Sequence, residues 1–302
     1  MISDDKIIEI FCKIDDHTKI YERVWKKSTL TGGKRKRNRK FKLSMSEVIT
    51  ISVLFHYSGY RNFKTYYNSY VKKHMRSYFP DLVSYNRMVE LMSATAMPMF
   101  AMLQYGLLGE STGISFIDST PLKVSHNKRI HSHKTFQGLA ARGKSSTGWF
   151  YGFKFHFIVN DEGTIIAFTL TPGNTDDRKP LENEAFTKKL WGKLYGDKGY
   201  ISKKLFENLV YKGVHLYTKL KKNMKTGWLM EVSDAIMLRK RAIIETIVDQ
   251  LKNIYQIEHS RHRSINNFLT NLMSAIMAYN FSFKKPSIKQ DFVQSKQLRL
   301  FT

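Results

Sequence analysis

Two aspartates each follow a short apolar run, and the chemistry of the chain is expected there. Asp118 comes directly after residues 114–117, a run that predicts a buried strand ending on one carboxylate. Asp197 follows a second short apolar run in the same way. A lone buried aspartate is costly unless it is paired or holds a cation, and carboxylates at the ends of neighbouring strands can share one site. The pattern therefore predicts that Asp118 and Asp197 lie together.

The third candidate is Glu245, on a helix predicted over residues 233–258. It lies at the margin of the apolar stripe of that helix, from which it can reach the edge of a sheet. Asp249, one turn later on nearly the same face, stays open as an alternative third ligand. Three acids suit Mg²⁺, with Mn²⁺ as a substitute, because this cation takes a few carboxylate oxygens and adds water and phosphate. Two such ions would support an in-line phosphoryl displacement by a water or a 3′-hydroxyl.

Alternating strands and helices must position these acids. A hairpin at 160–163 joins the first two strands of the following series. The predicted elements after Asp118 are strands over 150–159 and 164–170, a helix over 180–190, a strand ending before Asp197, a helix over 202–211, a strand over 214–218 and the helix over 233–258. This order predicts an α/β fold with a mixed sheet flanked by helices. A last helix over 264–279 is expected to pack back on that core.

The first 110 residues predict an all-α N-terminal domain. Helices are predicted over 5–27, 45–58, 61–75 and 83–105, with Ser44 or Ser46 as a cap of the second. A basic block that includes Lys34, Arg35, Lys36 and Arg37 lies between the first two helices and is expected to contact a phosphate backbone. The pattern is compatible with a helix-turn-helix whose recognition helix covers 84–92. The stretch over 106–113 is the predicted domain boundary.

The composition indicates a polyanionic partner. Fifty Lys and Arg side chains against 25 Asp and Glu give a net charge of +25, and the excess lies on both sides of residue 110. With 13% aromatic residues, nucleic acid is the expected partner and an anionic membrane surface is the rival. A single cysteine, Cys12, excludes a disulfide framework and a Cys-based zinc finger. The N-terminus shows no secretion signal, and the uncharged span 91–109 favours a buried helix over a membrane span, so a cytoplasmic protein is expected.

Three motifs together resemble a known family. They are Phe-Ile-Asp-Ser-Thr at 116–120, Tyr-Gly-Asp-Lys-Gly-Tyr at 195–200, and Arg241, Glu245 and Lys252 at their mutual spacing. The chain resembles bacterial insertion-sequence transposases of the DDE class, and the insertion-sequence 982 family in particular, which have a ribonuclease H-like catalytic domain. The spacings of 79 positions from Asp118 to Asp197 and of 48 positions from Asp197 to Glu245 agree with this likeness. The run over 261–268 is also similar.

The resemblance implies a division of labour along the chain. Residues 1–110 would bind DNA, residues 111–286 would form the ribonuclease H-like DDE catalytic domain, and residues 287–302 would be a C-terminal tail. Asp118, Asp197 and Glu245 would be the metal-binding catalytic triad. The side chains of Arg241 and Lys252 would contact the transposon-end DNA or order the helix, and Lys198 is a further predicted DNA contact. One position departs from the family pattern, because Leu238 stands where related transposases often have Tyr.

The same resemblance implies an activity and its partners. We expect Mg²⁺-dependent cleavage at the ends of an insertion sequence, followed by attack of the exposed 3′-hydroxyls on target DNA. The partners would be double-stranded DNA, as terminal inverted repeats and as target, and a second copy of the chain. Two alternatives stay open. One is a ribonuclease H-like nuclease that cuts without joining, and the other is a degenerate, DNA-binding repressor of the element.

One stretch imitates a nucleotide-binding motif. Residues 138–145 match the P-loop pattern letter for letter, but that loop must follow a buried strand and open a helix. The residues before it are polar and those after it predict a strand, so no nucleotide is expected. A basic loop gripping DNA phosphates through Arg142 and Lys144 is favoured, and Trp149 at its end could stack on an unpaired base.

Other polar side chains near these segments have simpler interpretations. With no cysteine nearby and no helical spacing, His126, His131 and His133 are expected to face solvent or phosphate rather than a metal. Asp176 and Asp177 follow a Gly-Asn-Thr sequence and are interpreted as loop or capping acids.

Overall fold

The computed structural model describes residues 2–30, 42–146, 148–219, 228–258, 262–288 and 298–301, with backbone alone for 25–30, 228–229 and 298–301. The chain divides into two compact units that alternate along the sequence. The helical unit comprises Met1–Leu107 and Leu251–Ser282, and the sheet unit comprises Leu108–Gln250 and Phe283–Thr302. The first division falls inside the stretch 106–113 where the sequence predicts a boundary. Residues 251–282, however, belong to the helical unit, whereas the sequence places them with the catalytic domain.

The described residues of the helical unit form helices and connecting loops only. Its helices are α1 Asp4–Leu30, α2 Met45–Tyr57, α3 Phe63–Thr65, α4 Lys72–His74, α5 Tyr85–Ser93, α6 Ala96–Met102 and, numbered after the helices of the sheet unit, α12 Ile265–Asn280. Turns of π-helix over Tyr66–Val71 and Leu103–Leu107 continue α3 and α6. Ser44 caps α2 in a capping box, since its hydroxyl accepts from the Glu47 N–H and the Glu47 carboxylate accepts from the Ser44 N–H.

Helix α12 lies in the core of the helical unit. It packs against α2, α5 and α6, and its side chains from Leu272 to Tyr279 are buried. The Thr270 hydroxyl donates to the Met92 carbonyl at 2.8 Å, and the Tyr57 hydroxyl donates to the Ala278 carbonyl. The prediction that this helix packs on the sheet core is therefore wrong, because its apolar face is matched by the helices of residues 1–107.

A mixed sheet organises the sheet unit. Its strands are β1 Ile114–Ser125, β2 Ala141–Ser145, β3 Gly148–Asn160, β4 Ile165–Pro172, β5 Gly192–Gly196 and β6 Val214–Thr218. Their order is β2-β3-β1-β5-β6, and β4 also pairs with β3. The pairs around β3 are antiparallel, and β1, β5 and β6 run parallel. A separate antiparallel pair joins β7 Trp228–Glu231 to β8 Leu298–Phe301. Strand β8 lies within the segment that the sequence assigns to a tail.

Helices cover both faces of this sheet. One face carries α7 Lys179–Glu182, α8 Glu184–Thr187 and α9 Lys203–Tyr211 on a core that includes Ile117. Because neighbouring residues of a strand point to opposite faces, Asp118 lies on the other face. That face packs against α10 Val232–Lys240 and α11 Ile243–Asp249. The two helix layers thus put the Asp118 side of the sheet next to α10 and α11.

Several local predictions differ from the structure. The helix predicted over 180–190 is divided into α7 and α8, and the helix predicted over 83–105 is divided into α5, α6 and a π-helical turn. Strand β1 does not end at Asp118 but continues to Ser125, because it pairs with β3 along its length. The predicted basic loop that contains Arg142 and Lys144 includes strand β2, which is hydrogen-bonded to the start of β3. The predicted single helix over 233–258 is divided into α10, α11 and a π-helical turn over Gln250–Ile254. Among the described helices, none combines the length and the apolar character needed to cross a bilayer.

Candidate active site

The register of β1 and β5 brings Asp118 and Asp197 together. The parallel pairing of these strands ends at Phe116 opposite Tyr195. Asp118 and Asp197 each follow this last pair by two residues, so the pleat directs both side chains to the same face of the sheet. The two aspartates lie where β5 has just ended at Gly196 while β1 continues.

Arg241 joins the two aspartates. Its Nη1 lies 3.2 Å from Asp118 Oδ2 and donates a hydrogen bond to it, and its Nη2 lies 3.8 Å from Asp197 Oδ1. The guanidinium side chain is 18% exposed, Asp118 is 27% exposed and Asp197 is 57% exposed. One fixed positive charge therefore faces two carboxylates at the place where β5 ends.

The environment of Asp118 disfavours the ionised form of its carboxyl group. Burial raises the pKa of Asp118 above its ordinary value, and the nearby charge of Asp197 raises it further. The Ser119 N–H, which donates to Asp118 Oδ1 at 2.8 Å, and the Arg241 guanidinium act in the opposite direction. Burial dominates this balance, so Asp118 favours a neighbour of positive charge.

Glu245 lies on α11, one turn after Arg241. Both residues belong to a tightened turn, in which the Glu245 N–H donates to the Ala242 carbonyl at 3.1 Å and the Ile244 N–H donates to the Arg241 carbonyl at 3.0 Å. The side chains of Glu245 and Asp249 are exposed. In the part of the chain that the structure describes, no three His, Cys, Asp or Glu side chains are grouped closely enough to hold a metal ion. The convergence of Glu245 on the two aspartates therefore stays a prediction.

A buried acid, Asp234, fixes the helix that leads to Arg241. Asp234 is 2% exposed and accepts hydrogen bonds from Lys193 Nζ at 2.6 Å and from the Tyr195 hydroxyl at 2.7 Å. The Tyr195 ring is stacked between Phe116 and Tyr217. Burial acts against the charge of Lys193, but the Asp234 carboxylate outweighs it and raises the pKa of Lys193. Tyr195, two residues before Asp197, thus fixes α10 on strand β5. Nothing in the sequence around Asp234 indicates this contact.

A second polar cluster lies behind Asp118, on the opposite face of the sheet. The Ser119 hydroxyl and Lys154 Nζ donate to Asp177 Oδ1 at 2.8 and 3.0 Å, and Lys154 also donates to the Thr175 carbonyl. His156 is fully buried there, and burial lowers its pKa to about 4. These contacts tie the loop that follows β4 to the strand that carries Asp118.

Asp176, the neighbour of Asp177, makes contacts within its own loop segment. It accepts from the backbone N–H of Arg178 and pairs with the guanidinium of that residue, and these contacts lower the pKa of Asp176 to about 2. This is the local role that the sequence suggests for it, whereas the contacts of Asp177 with β1 and β3 carry no local sequence signal.

The predicted DNA contacts lie at several places. Arg142 and Lys144 are exposed on β2, and Lys198 is exposed directly after Asp197. Lys252 belongs to the helical unit and forms an ion pair of 3.1 Å with Glu258. The block from Lys34 to Arg37 lies outside the described residues.

The structure shows the conformation of the segment that matches the P-loop pattern and the exposure of the nearby histidines. Residues 141–145 form a strand where a phosphate-binding loop would require the start of a helix. His126 and His131 are exposed as expected. His133 differs from the expectation, because it is stacked on Phe136 and its Nε2 is buried. The aromatic surface of Phe136 and Tyr151 accounts for this placement.

Comparison with known proteins identifies the sheet unit. A family model described as a transposase DDE domain matches residues 108–265, a span that contains Asp118, Asp197, Arg241 and Glu245. The chain belongs to this family of transposase DDE domains. The solved structure described as a piggyBac transposase synaptic complex with hairpin DNA is similar at 11% sequence identity and a TM-score of 0.46, over 90% of this chain and 72% of that chain. No curated protein sequence matches the chain significantly.

The aspartates of this DDE domain fit a hard divalent cation, the kind of ion that DDE domains generally use. Their carboxylates face a common positive group, because Arg241 contacts both. Mg²⁺ is commonly held by one or two carboxylates, with waters and substrate phosphates at its other positions. Asp118 and Asp197 together supply two carboxylates, which is within this number.

Proposed function

We propose that this DDE transposase cuts DNA at the ends of a bacterial insertion sequence of the 982 family and transfers the cut strands into target DNA. The observation that carries the proposal is the convergence of Asp118 and Asp197 on Arg241 within a chain segment that matches the transposase DDE domain. The mixed sheet, with its parallel strands β1, β5 and β6, is the arrangement expected of a ribonuclease H-like catalytic domain.

The roles of the acids in this proposal follow from their positions. Asp118 and Asp197 would hold the divalent ions between them, and Glu245 from α11 would complete the second ion site. When bound, Mg²⁺ supplies Lewis-acid stabilisation of the charge that develops on the phosphoryl oxygens. Arg241 balances the charge of the two aspartates, and its guanidinium would suit a DNA phosphate if bound ions took over that role.

The reaction exchanges one phosphodiester bond for another. In a first step, water attacks the phosphorus at the element end, the P–O3′ bond breaks, and a 3′-hydroxyl and a 5′-phosphate are left. That hydroxyl then attacks a target phosphodiester, forms the new bond and releases a target 3′-hydroxyl as the leaving group. The number of phosphodiester bonds is unchanged in the second step, so no nucleotide is required. The chain contributes orientation of the two DNA segments and negative charge at Asp118 and Asp197.

DNA binding in the proposal rests on charge. The net charge of +25 favours a polyanion, and Arg142, Lys144 and Lys198 offer exposed cations in the sheet unit. We propose that residues 1–110, with the basic block from Lys34 to Arg37, bind the terminal inverted repeats. Lys252 is a further proposed contact with the element end. Two ends must be held at once, so we propose a homodimer on DNA that acts at the bacterial nucleoid in the cytoplasm.

The test is cleavage and joining of labelled DNA that carries the sequences flanking the coding region, with Mg²⁺ or Mn²⁺. We expect cut and joined products with the unmodified protein, and loss of both with Asp118→Asn, Asp197→Asn and Glu245→Gln. Asp249→Asn is the matched control for the third acid, since it lies one turn from Glu245 on the same exposed side. It should retain activity.

The same assay separates the alternatives. Cut but unjoined DNA would point to a nuclease without transfer activity. Retained binding without any cut under either metal would contradict the enzyme proposal and favour a DNA-binding repressor. If Asp249→Asn abolished the products and Glu245→Gln did not, the third ligand would be Asp249.

A further inference from the structure

The hairpin of β2 and β3 presents an exposed tryptophan with two cations over its ring. Trp149 is 53% exposed. The guanidinium carbon of Arg142 lies 4.8 Å from the centre of its ring system, and Lys144 Nζ lies 5.9 Å from it. Lys144 is paired directly opposite Trp149, and Arg142 is two residues away on the same face of the ribbon. We name these three side chains the ribbon cluster.

The backbone beneath the ribbon cluster is held firmly. Asn127 Nδ2 donates to the Trp149 carbonyl at 2.8 Å, and β2 is hydrogen-bonded along β3 from Ala141 to Ser145. Gly143 packs so closely on the loop after β4 that a Cβ there would lie 2.0 Å from the Gly173 carbonyl oxygen. The indole is therefore exposed on a rigid support, which lowers the ordering cost of any ligand that stacks on it.

From this geometry we infer that the ribbon cluster binds an unpaired base of a DNA strand, an inference that rests on the proposed function. An exposed indole offers a π-face that any base can stack on, whereas paired bases in a duplex are already stacked on their neighbours. Arg142 and Lys144 supply positive charge at the same place for the adjoining phosphates. The combination of an aromatic platform and flanking cations suits a single strand better than an intact duplex.

The position along the sheet sets where such a base would lie. Phe157 of β3 is opposite Asp118, and Trp149 lies eight residues earlier on the same strand. At about 3.3 Å per residue, the separation along β3 is roughly 26 Å. The unpaired base bound at Trp149 is therefore away from the phosphate that is cut at the aspartates, and the ribbon cluster would hold a distorted or displaced strand rather than the reacting bond.

The test compares single-stranded and duplex DNA. Binding of a fluorescein-labelled 20-nucleotide strand and of its 20-base-pair duplex is measured by fluorescence anisotropy with the full chain. We expect Trp149→Ala to weaken binding of the single strand about fivefold or more and binding of the duplex less than twofold. Trp149→Phe, which keeps a stacking ring, should retain most of the affinity. Trp191→Ala removes another exposed tryptophan and should leave both affinities unchanged.

The two cations provide an independent measurement. Arg142→Gln should weaken single-strand and duplex binding alike and make both less dependent on salt, because it removes a phosphate contact and not a stacking surface. Equal binding of the single strand by Trp149→Ala and the unmodified protein would overturn the inference, even if the variant unfolded at a lower temperature. A chain that bound neither DNA would overturn both the inference and the proposed function, whereas retained binding without cleavage would contradict the proposed function alone.

Discussion

Arg241 occupies the position of a counter-ion for the aspartate pair. Its guanidinium reaches Asp118 at 3.2 Å and Asp197 at 3.8 Å, and a divalent cation would use oxygens of the same carboxylates. Under the proposed function, guanidinium and metal would therefore compete electrostatically for one site. The competition predicts that the affinity for metal depends on a side chain that is not itself a ligand.

Substitution of Arg241 measures that competition. Arg241→Gln should lower the metal-free free energy of unfolding by about 1–2 kcal/mol, because Asp118 and Asp197 then repel each other without a balancing charge. Added Mn²⁺ should raise the melting temperature of this variant more than that of the unmodified protein. Thermal unfolding with and without Mn²⁺ provides the measurement. Arg239→Gln, at an exposed position of α10 two residues before Arg241, is the control. Equal metal shifts in all three proteins would rule out the competition.

Individual residues of the site differed in how well the sequence predicted them. The pairing of Asp118 with Asp197 was predictable because each follows a short apolar strand. The contact of Arg241 with both, and the burial of Asp234 beneath Tyr195, depend on how α10 lies on the sheet. Such contacts join residues distant in sequence, so no local pattern marks them. The position of Leu238 is buried on α10, and nothing in the structure explains its departure from Tyr.

The anchoring of α10 on β5 is an element-level property. Tyr195→Phe removes one of the hydrogen bonds that satisfy the buried Asp234 carboxylate. We expect it to lower the free energy of unfolding by about 1–2 kcal/mol, since a buried charged acceptor loses a donor. Urea denaturation would measure the loss. Tyr211→Phe, at a tyrosine that is 93% exposed, should change stability very little. A Tyr195→Phe protein as stable as the Tyr211→Phe control would contradict the anchoring role.

The close approach of β2 to the loop after β4 allows a second element-level test. Gly143→Ala would bring a Cβ to 2.0 Å from the Gly173 carbonyl oxygen, so the backbone must shift. We expect a loss of about 2–3 kcal/mol in the free energy of unfolding. Gly199→Ala is the matched control, because its Cβ would meet nothing within 4 Å. Denaturation curves in which the two variants lose equal stability would exclude the steric argument.

The sequence predicted those elements whose pattern is local. The alternation of Phe153, Phe155 and Phe157 marked β3, and β6 lies at the predicted residues. Strand β2 escaped prediction because its sequence is polar and basic, and its pairing with β3 supplies the stabilisation that its own residues lack. The break between α10 and α11 escaped prediction because no proline or glycine marks it. There the backbone tightens at Arg241 and Ala242.

Acid sensitivity belongs to the molecule as a whole. Burial is the main cause that lowers the pKa of His56, His156 and His262 to about 4. Each remains near 6.5 when the chain unfolds, so the unfolded chain binds more protons between these values. The stability contributed by the neutral histidines is therefore complete above pH 6.5 and is lost as the pH falls toward about 4. For each of these histidines, the free energy of unfolding falls by up to about 3 kcal/mol over this range.

Chemical denaturation at several pH values tests this dependence. The free energy of unfolding should fall between pH 6.5 and pH 5, and His156→Gln, which keeps a donor near Thr171, should make the fall less steep. His131→Gln is the control, since His131 is exposed. A free energy of unfolding that stays constant over this range would show that the three histidines are not held neutral.

The alternation of the two units along the chain has a consequence for how the protein is made. The helical unit needs α12, which ends at Asn280, to fill the centre of a bundle begun at Asp4. A ribosome must therefore synthesise the chain through Asn280 before the earliest helices obtain their final partner. During translation, the apolar surfaces of α2, α5 and α6 that contact α12 stay exposed until α12 is made. A chain truncated before α12 cannot complete the helical unit. The helical unit is therefore complete only in chains that extend through α12.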